Sequence, residues 1–369
     1  MRPRVVIGLP TVALLALGLA ACPGPRIPPK IERTSKAHEL IVPTQGAYSG
    51  AYIDFGERED SVTLEAIEAF EKLIGRRQAI VASSSYWGEQ TFPAENVRIV
   101  ARSGAVPLIF WSPWDRPYKE NFGLDQYSLT SILAGKHDTY IDRWGDEARE
   151  FGEPMIVSFA NEPNGNWFPW SGSFYEGGRV MPNTELEPPR YEGPETFKRA
   201  YRYVVDRVRA RGARNVKWVL HLMNYPYPTD LWNQADQYYP GSEYCDWLGL
   251  SVYGAQYAKD KWGQFTPLFD WPYRQLCQLD PSKPIMAVEW GVAEAKDKGS
   301  KAAWIREAFD AMKDPRYERL KAIVFWHERW QNDDSSYSNL RVNSSAESLQ
   351  AYRESVADPH WLERPIWKP

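Results

Sequence analysis

Met155-Ile156-Val157-Ser158-Phe159-Ala160-Asn161-Glu162-Pro163-Asn164-Gly165 is the stretch on which the fold turns. Residues 155–160 are a short, almost wholly apolar run with β-branched and aromatic side chains, and they read as a buried strand. The run breaks into Asn-Glu-Pro-Asn-Gly, a cluster of turn formers with one carboxylate near its head. A second run, residues 285–288, ends the same way, in Glu289-Trp290-Gly291. A carboxylate just past a buried strand is costly unless it is paired or used. Two such strands therefore call for an architecture that brings their C-terminal ends together.

The rest of the chain supplies it. Short apolar runs at residues 51–55, 78–84, 106–111, 155–160, 216–221, 247–252, 285–288 and 322–326 read as strands. Helical patterns fall between or after them at 62–74, 96–103, 137–151, 196–211, 272–279, 301–312 and 346–356. This alternation predicts an α/β fold, a single (β/α)8 TIM barrel. An open doubly wound sheet is the alternative. It is weaker because Gly56-Glu57-Arg58-Glu59 follows the first strand where a glycine-rich phosphate loop belongs.

The first 22 residues read as an address. Arg2 and Arg4 precede an apolar run that ends in Leu19-Ala20-Ala21-Cys22. The run suits a signal-peptide core and is short for a membrane span. Small residues before a cysteine resemble the bacterial lipobox, in which the thiol is lipidated. Cys22 is then the lipidation site, and the protein is exported and held on a bacterial membrane, the outer membrane or cell surface in preference to the inner. An ordinary signal peptide with a chance cysteine is the other reading. Residues 23–45 are rich in Pro and charge and read as a linker. Residues 46–369 are then the folded domain, expected to be monomeric.

Net charge is −4, and the charges are interspersed, so no basic stripe points to nucleic acid. With five His, and no Cys or His at metal-ligand spacing, neither a metal site nor an organic cofactor is implied. Export leaves Cys245 and Cys277 able to form a disulfide, or to stand as two separate thiols. The aromatic content, 17 Trp, 21 Tyr and 14 Phe, is high enough to suggest faces for stacking on sugar rings, although most must serve the core.

In a barrel of this kind the active site lies at the C-terminal strand ends. Glu162 and Glu289 would face each other there. Two facing carboxyls are what glycosidic cleavage requires, one to protonate the leaving oxygen and one to attack the anomeric carbon or activate water. A separation of roughly 5–5.5 Å implies retention. At about 5 Å and a dielectric near 20 the two charges repel by roughly 3 kcal/mol. That separates the two protonations by about two pH units. One carboxyl stays protonated near neutrality while its partner is ionised.

The segment Ser158-Phe159-Ala160-Asn161-Glu162-Pro163-Asn164-Gly165-Asn166-Trp167-Phe168-Pro169-Trp170 resembles the acid/base segment of glycoside hydrolase family 26, a family of β-mannanases with some β-glucanases and xylanases in the clan of barrels with catalytic residues on strands four and seven. Lys283-Pro284-Ile285-Met286-Ala287-Val288-Glu289-Trp290-Gly291 resembles its nucleophile strand. Val216-Lys217-Trp218-Val219, Tyr244 to Tyr253 and Lys321-Ala322-Ile323-Val324-Phe325-Trp326 resemble its fifth, sixth and eighth strands, so the likeness runs through nearly all of the folded chain. It implies Glu162 as acid/base, Glu289 as nucleophile, Tyr253 as hydrogen-bond donor to the nucleophile, and Trp326 as the sugar platform beside the cut. Trp167 would line the cleft near Glu162, with Trp111 and Trp114 as further cleft residues. His221, at the end of the fifth strand, reads as a substrate contact or as a satisfied buried His.

One departure bears on the sugar. The mannanases usually place His before the acid/base Glu, and this chain has Asn161. Asn-Glu is the pairing of the wider clan, in which the amide binds the sugar 2-hydroxyl. His327 also stands where the family more often has an acidic residue. The expected activity is that of a retaining endo-β-glycanase on a β-1,4-type polysaccharide: mannan, mixed-linkage β-glucan or an exopolysaccharide. A non-catalytic carbohydrate-binding lipoprotein and a transglycosylase are the competing readings.

Overall fold

The computed structural model describes residues 39–115, 126–182 and 189–368. The expectations for residues 1–22, Cys22 included, lie outside the described residues, as does most of the proposed linker. The end of that linker, however, is held against the domain. Leu40 is buried and bridges to Trp367, Ile41 N–H donates to the Ile366 carbonyl (2.9 Å), and the Tyr48 hydroxyl donates to the Ile41 carbonyl (2.6 Å). The apolar Leu40-Ile41 pair gives this short stretch the burial that the Pro-rich residues before it lack.

The chain alternates strand and helix. The strands are β1 (Ala47–Ile53), β2 (Ile80–Tyr86), β3 (Val106–Ser112), β4 (Met155–Phe159), β5 (Val216–Met223), β6 (Trp247–Tyr253), β7 (Ile285–Gly291) and β8 (Leu320–His327). A short hairpin, β9 (Arg329–Gln331) and β10 (Tyr337–Asn339), and a terminal β11 (Trp361–Leu362) follow. The helices are α1 (Leu64–Ile74), α2 (Ala94–Ser103), α3 (Leu129–Leu133), α4 (Asp138–Phe151), α5 (Glu192–Ala210), α6 (Phe265–Leu279), α7 (Lys301–Met312) and α8 (Ala346–Val356). Strands β1 to β8 are hydrogen-bonded in parallel, each to the next. β8 pairs back onto β1, from Tyr48 beside Ala322 to Ile53 beside His327. This ladder closes the barrel and excludes an open sheet.

Local chemistry sets the helix limits. Thr63 caps α1 by accepting the Ala66 N–H, and Gly75 ends it at φ 77°, the left-handed conformation glycine takes without penalty. Ser300 and Ser345 cap α7 and α8 in the same way. α5 carries Glu192 and Glu195 in its first turn, favourable to the helix dipole. It buries Phe197, Ala200, Tyr201, Val204, Val205 and Val208, one stripe at helical spacing. The reading of the Pro272 region as a helix start was too late. α6 begins at Phe265 and carries Pro272 in its interior.

Strand side chains alternate between the barrel axis and the helical layer. On β3, Phe110 and Ser112 reach the cavity at the barrel mouth. Trp111 points the other way. It is fully buried, stacks on Trp144 of α4 (4.1 Å, 18°) and donates its indole N–H to the Tyr140 hydroxyl (3.0 Å). Trp111 is therefore not a cleft residue, because the two-residue period of the strand sends it into the core. Trp218 packs against Tyr201, and Trp290 sits among Phe265, Trp304, Phe309 and Phe325. Trp111, Trp144, Trp218, Trp290 and Trp304 join barrel to helices in this way. Cys245 and Cys277 are separate thiols, and burial pushes the Cys245 thiol up to about 12.

Candidate active site

Glu162 sits one turn beyond β4, on backbone that the strand cannot continue. Ala160 (φ 50°) and Glu162 (φ 54°) are both left-handed without being glycine. Such residues cost of order 1–3 kcal/mol each and persist where the surroundings over-determine them. The surroundings here do so. Glu162 N–H donates to the His221 carbonyl of β5 (2.8 Å), and its own carbonyl accepts from Gly165 N–H (2.9 Å). The Asn164 amide clamps Met223 at the end of β5, accepting from its N–H (2.9 Å) and donating to its carbonyl (3.2 Å). A Cβ at Gly165 would come within 2.6 Å of the Trp167 ring, so this glycine is what lets Trp167 fold back. The Trp167 indole N–H then donates to Glu162 (3.2 Å).

Glu289 is aimed by a β-bulge. Leu250 of β6 is level with Ala287 of β7, but Ser251 is level with Glu289, so Val288 is an inserted residue. The bulge brings Glu289 beside the inward-facing Ser251 and Tyr253. The Tyr253 hydroxyl donates to the Glu289 carboxylate (2.8 Å).

His221 lies beneath both. It is fully buried, and burial pushes it down to about 3, so the ring is neutral. Nδ1 lies 3.1 Å from the Ser158 hydroxyl and Nε2 lies 2.7 Å from the Ser251 hydroxyl, which also hydrogen-bonds Glu162. One assignment satisfies this chain: Ser158 donates to Nδ1, Nε2–H donates to Ser251, and Ser251 donates to Glu162. His221 is thus a buried, satisfied residue that orients Ser251.

A carboxylate oxygen of Glu162, one of Glu289 and a ring nitrogen of His221 all lie within 4.8 Å of one another. A divalent cation could span such a group, but the ring nitrogens and both carboxylates are already engaged by hydroxyl and N–H groups. Both carboxyls are nearly buried. Burial pushes Glu162 up to about 7, against the opposing Ser251 and Trp167 hydrogen bonds. Burial also raises Glu289, and the charge of Glu162 raises it further, against the Tyr253 hydrogen bond. The two titrate as a pair that holds one proton near neutrality.

Asn161, Glu162, Glu289, Trp114 and Trp326 share the wall of one cavity at the barrel mouth. Tyr253, Trp167 and His221 attach to its two glutamates rather than to its open space. The Asn161 carbonyl accepts from the Trp170 indole (2.6 Å), which fixes the turn. Trp326 is backed by Tyr52 (4.2 Å, 23°), and its N–H donates to Glu328 (2.7 Å). His327 turns away and accepts the Val342 N–H (3.0 Å). The sequence reading missed Ser158, Ser251, Tyr52, Glu59 and Ser84. Inward alternation on β4 and β6 could have found the first two; no motif marks the others.

A model of the family described as Glycosyl hydrolase family 26 matches residues 130–330. Endoglucanase H of Acetivibrio thermocellus is 30% identical over 298 residues, covering 79% of this chain and 29% of that protein. Beta-1,3-xylanase TXYA of Vibrio sp is 22% identical over 257 residues, covering 63% of this chain and 50% of that protein. The chain thus spans half or less of the length of these two relatives. The catalytic domain of a Bacillus sp. JAMB-750 endo-β-1,4-mannanase has the same fold, with a TM-score of 0.60 at 20% identity, 86% of this chain and 87% of that one being covered.

The Glu162 shift has a consequence for stability. A carboxyl raised from 4.5 to about 7 favours folding while protonated, and that contribution is lost as pH rises through 7. Glu162→Gln removes one of the two coupled titrations and, with the Glu162 charge gone, relaxes part of the rise at Glu289. In urea unfolding the variant should gain steadily on the parent as pH rises from 4.5 to 7, because a buried carboxyl that resists ionising has been removed. A difference that stays constant across this range would contradict the assigned burial.

Proposed function

The chain belongs to glycosyl hydrolase family 26, and from that membership and the site geometry we propose that it is a retaining endo-β-glycanase acting by double displacement on a β-1,4-type polysaccharide. The approach of the Glu162 and Glu289 carboxylates to within 4.8 Å carries the reading. It suits the spacing of a nucleophile and its acid, and leaves less room than an inverting pair needs for an intervening water.

In this reading Glu162 holds the shared proton and delivers it to the departing glycosidic oxygen. Glu289 attacks the anomeric carbon and becomes the glycosyl ester. Glu162, now ionised, takes a proton from water, whose oxygen displaces Glu289 and restores the starting pair. The Tyr253 O–H supports the carboxylate form that attacks. The Ser251–His221–Ser158 chain supports Glu162 and remains neutral throughout. Trp326, fixed between Tyr52 and Glu328, offers a flat face for the sugar that Glu289 attacks. None of the described residues lining the cavity is Lys or Arg, which favours an uncharged backbone such as mannan or β-glucan over a polyuronide. Asn161 in place of the mannanases' His weighs against mannan, whose 2-hydroxyl is axial, and leaves neutral glycans with an equatorial 2-hydroxyl, β-glucan among them.

Export with lipidation at Cys22 completes the proposal and would place the barrel where polysaccharide is met. Glu289→Ala should leave a folded protein with no hydrolysis. Glu162→Ala should lose roughly 10²–10⁴-fold in kcat/KM and regain part of it with added azide, which can enter the emptied site. Wild-type rates in both variants would remove the mechanism. In a bacterial host, Cys22→Ser should move the protein out of the membrane fraction, and unchanged membrane retention would count against the lipid anchor.

A further inference from the structure

The cleft has a third carboxylate. Glu59 follows β1 in the left-handed region, at φ 56°. Its N–H donates to the Gly56 carbonyl (2.8 Å), its carbonyl accepts from Ser84 N–H (2.9 Å), and its carboxylate accepts from the Ser84 hydroxyl (2.5 Å). Only 7% of it is exposed, yet it lines the same cavity as Glu162 and Glu289. Burying a carboxylate is costly, and so is left-handed backbone at a residue other than glycine. Two costs at one position, with these hydrogen bonds among those fixing it there, mark a side chain held in place against its local preference.

Its place in the barrel says which part of a substrate it meets. β1 pairs with β8, and Tyr52 is level with Trp326. The strand order sets β4, which carries the proposed acid, on the far side of the mouth from β8 and β1. On the two-glutamate reading the departing portion of the chain would leave on the acid's side, the sugar bonded to Glu289 would rest on Trp326, and the retained portion would run on toward β1 and β2. Glu59 and Ser84 stand there.

We propose that Glu59 is a substrate-binding residue on this glycone side, accepting hydrogen bonds from hydroxyls of a neutral sugar seated on or next to Trp326. An ionised carboxylate only accepts, and sugar hydroxyls are the donors it would meet. Hydrogen bonds to a charged acceptor are the stronger kind. The inference rests on the two-glutamate hydrolase reading.

The test uses oligosaccharides, three to six sugars long, of the neutral glycan that the wild-type chain cuts. KM, kcat and product sizes are compared for wild type, E59Q and E59A, with thermal unfolding measured alongside. E59A should raise KM roughly 10- to 100-fold, as loss of a hydrogen bond to a charged group does, and should shift the cleavage pattern along the chain. E59Q, which keeps an acceptor oxygen, should recover part of the loss. Values of kcat/KM and product sizes within twofold of wild type in E59A overturn the inference. So does an equal loss in E59A and E59Q that tracks lowered thermal stability, because that is how a residue that only holds the loop behaves. An active wild type with an unaffected E59A removes this inference alone. A wild type inert on every glycan removes the hydrolase reading and the inference with it.

Discussion

Two carboxyls are buried side by side at the mouth of a closed barrel, and most of what surrounds them answers to that arrangement. Within 4.8 Å of each other, and with an effective dielectric near 20, two full charges repel by roughly 3 kcal/mol or more. No Lys or Arg among the described cavity residues offsets this. The inexpensive state is one proton on two groups. A guanidinium in the wall would ionise both and remove the acid. Full solvation would weaken the coupling between them. The donors present are neutral: a phenol at Glu289, an indole and a hydroxyl at Glu162. Neutral donors orient the carboxylates without forcing both to ionise, so Glu162 can give up its proton to the substrate and regain one from water, as the proposed chemistry asks.

Holding such a pair demands rigid supports. Both glutamates project from strand ends, and each is set by a local departure from regular structure. At β7 an inserted Val288 aims Glu289. Beyond β4 two left-handed residues bend the chain and carry Glu162 over His221. These departures are tolerated because the barrel behind them is closed by β1–β8 pairing and wedged by tryptophans between strands and helices. The same outer layer accounts for much of the aromatic content, so composition alone is an uncertain guide to sugar binding in this chain.

The architecture was legible in the sequence because apolar runs and helical periodicity are local signals. Eight apolar runs and their intervening helices were found, with ends displaced by a few residues. The pair Glu162 and Glu289 was legible because each ends an apolar run. Trp111 was misread because proximity to a strand end was weighed above the two-residue alternation that turns it from the cleft. The β9–β10 hairpin and the short α3 have too few residues to leave a periodic signal. Glu59 was invisible for a different reason. It sits in a loop with no motif, and only closure of the barrel brings the start of the chain beside β8. His221 was left between two readings, and its hydrogen bonds to two serines decide for a buried, oriented residue.

The claim on which the account stands is that Glu289 bonds to the sugar before water does. The configuration of the first product tests this most directly. Proton NMR, recorded as a β-linked oligosaccharide is cleaved and before the anomers equilibrate, should show the β-anomer of the new reducing end appearing first. An initial α-anomer would mean a single displacement by water, and a pair of carboxylates this close would then have been given the wrong task.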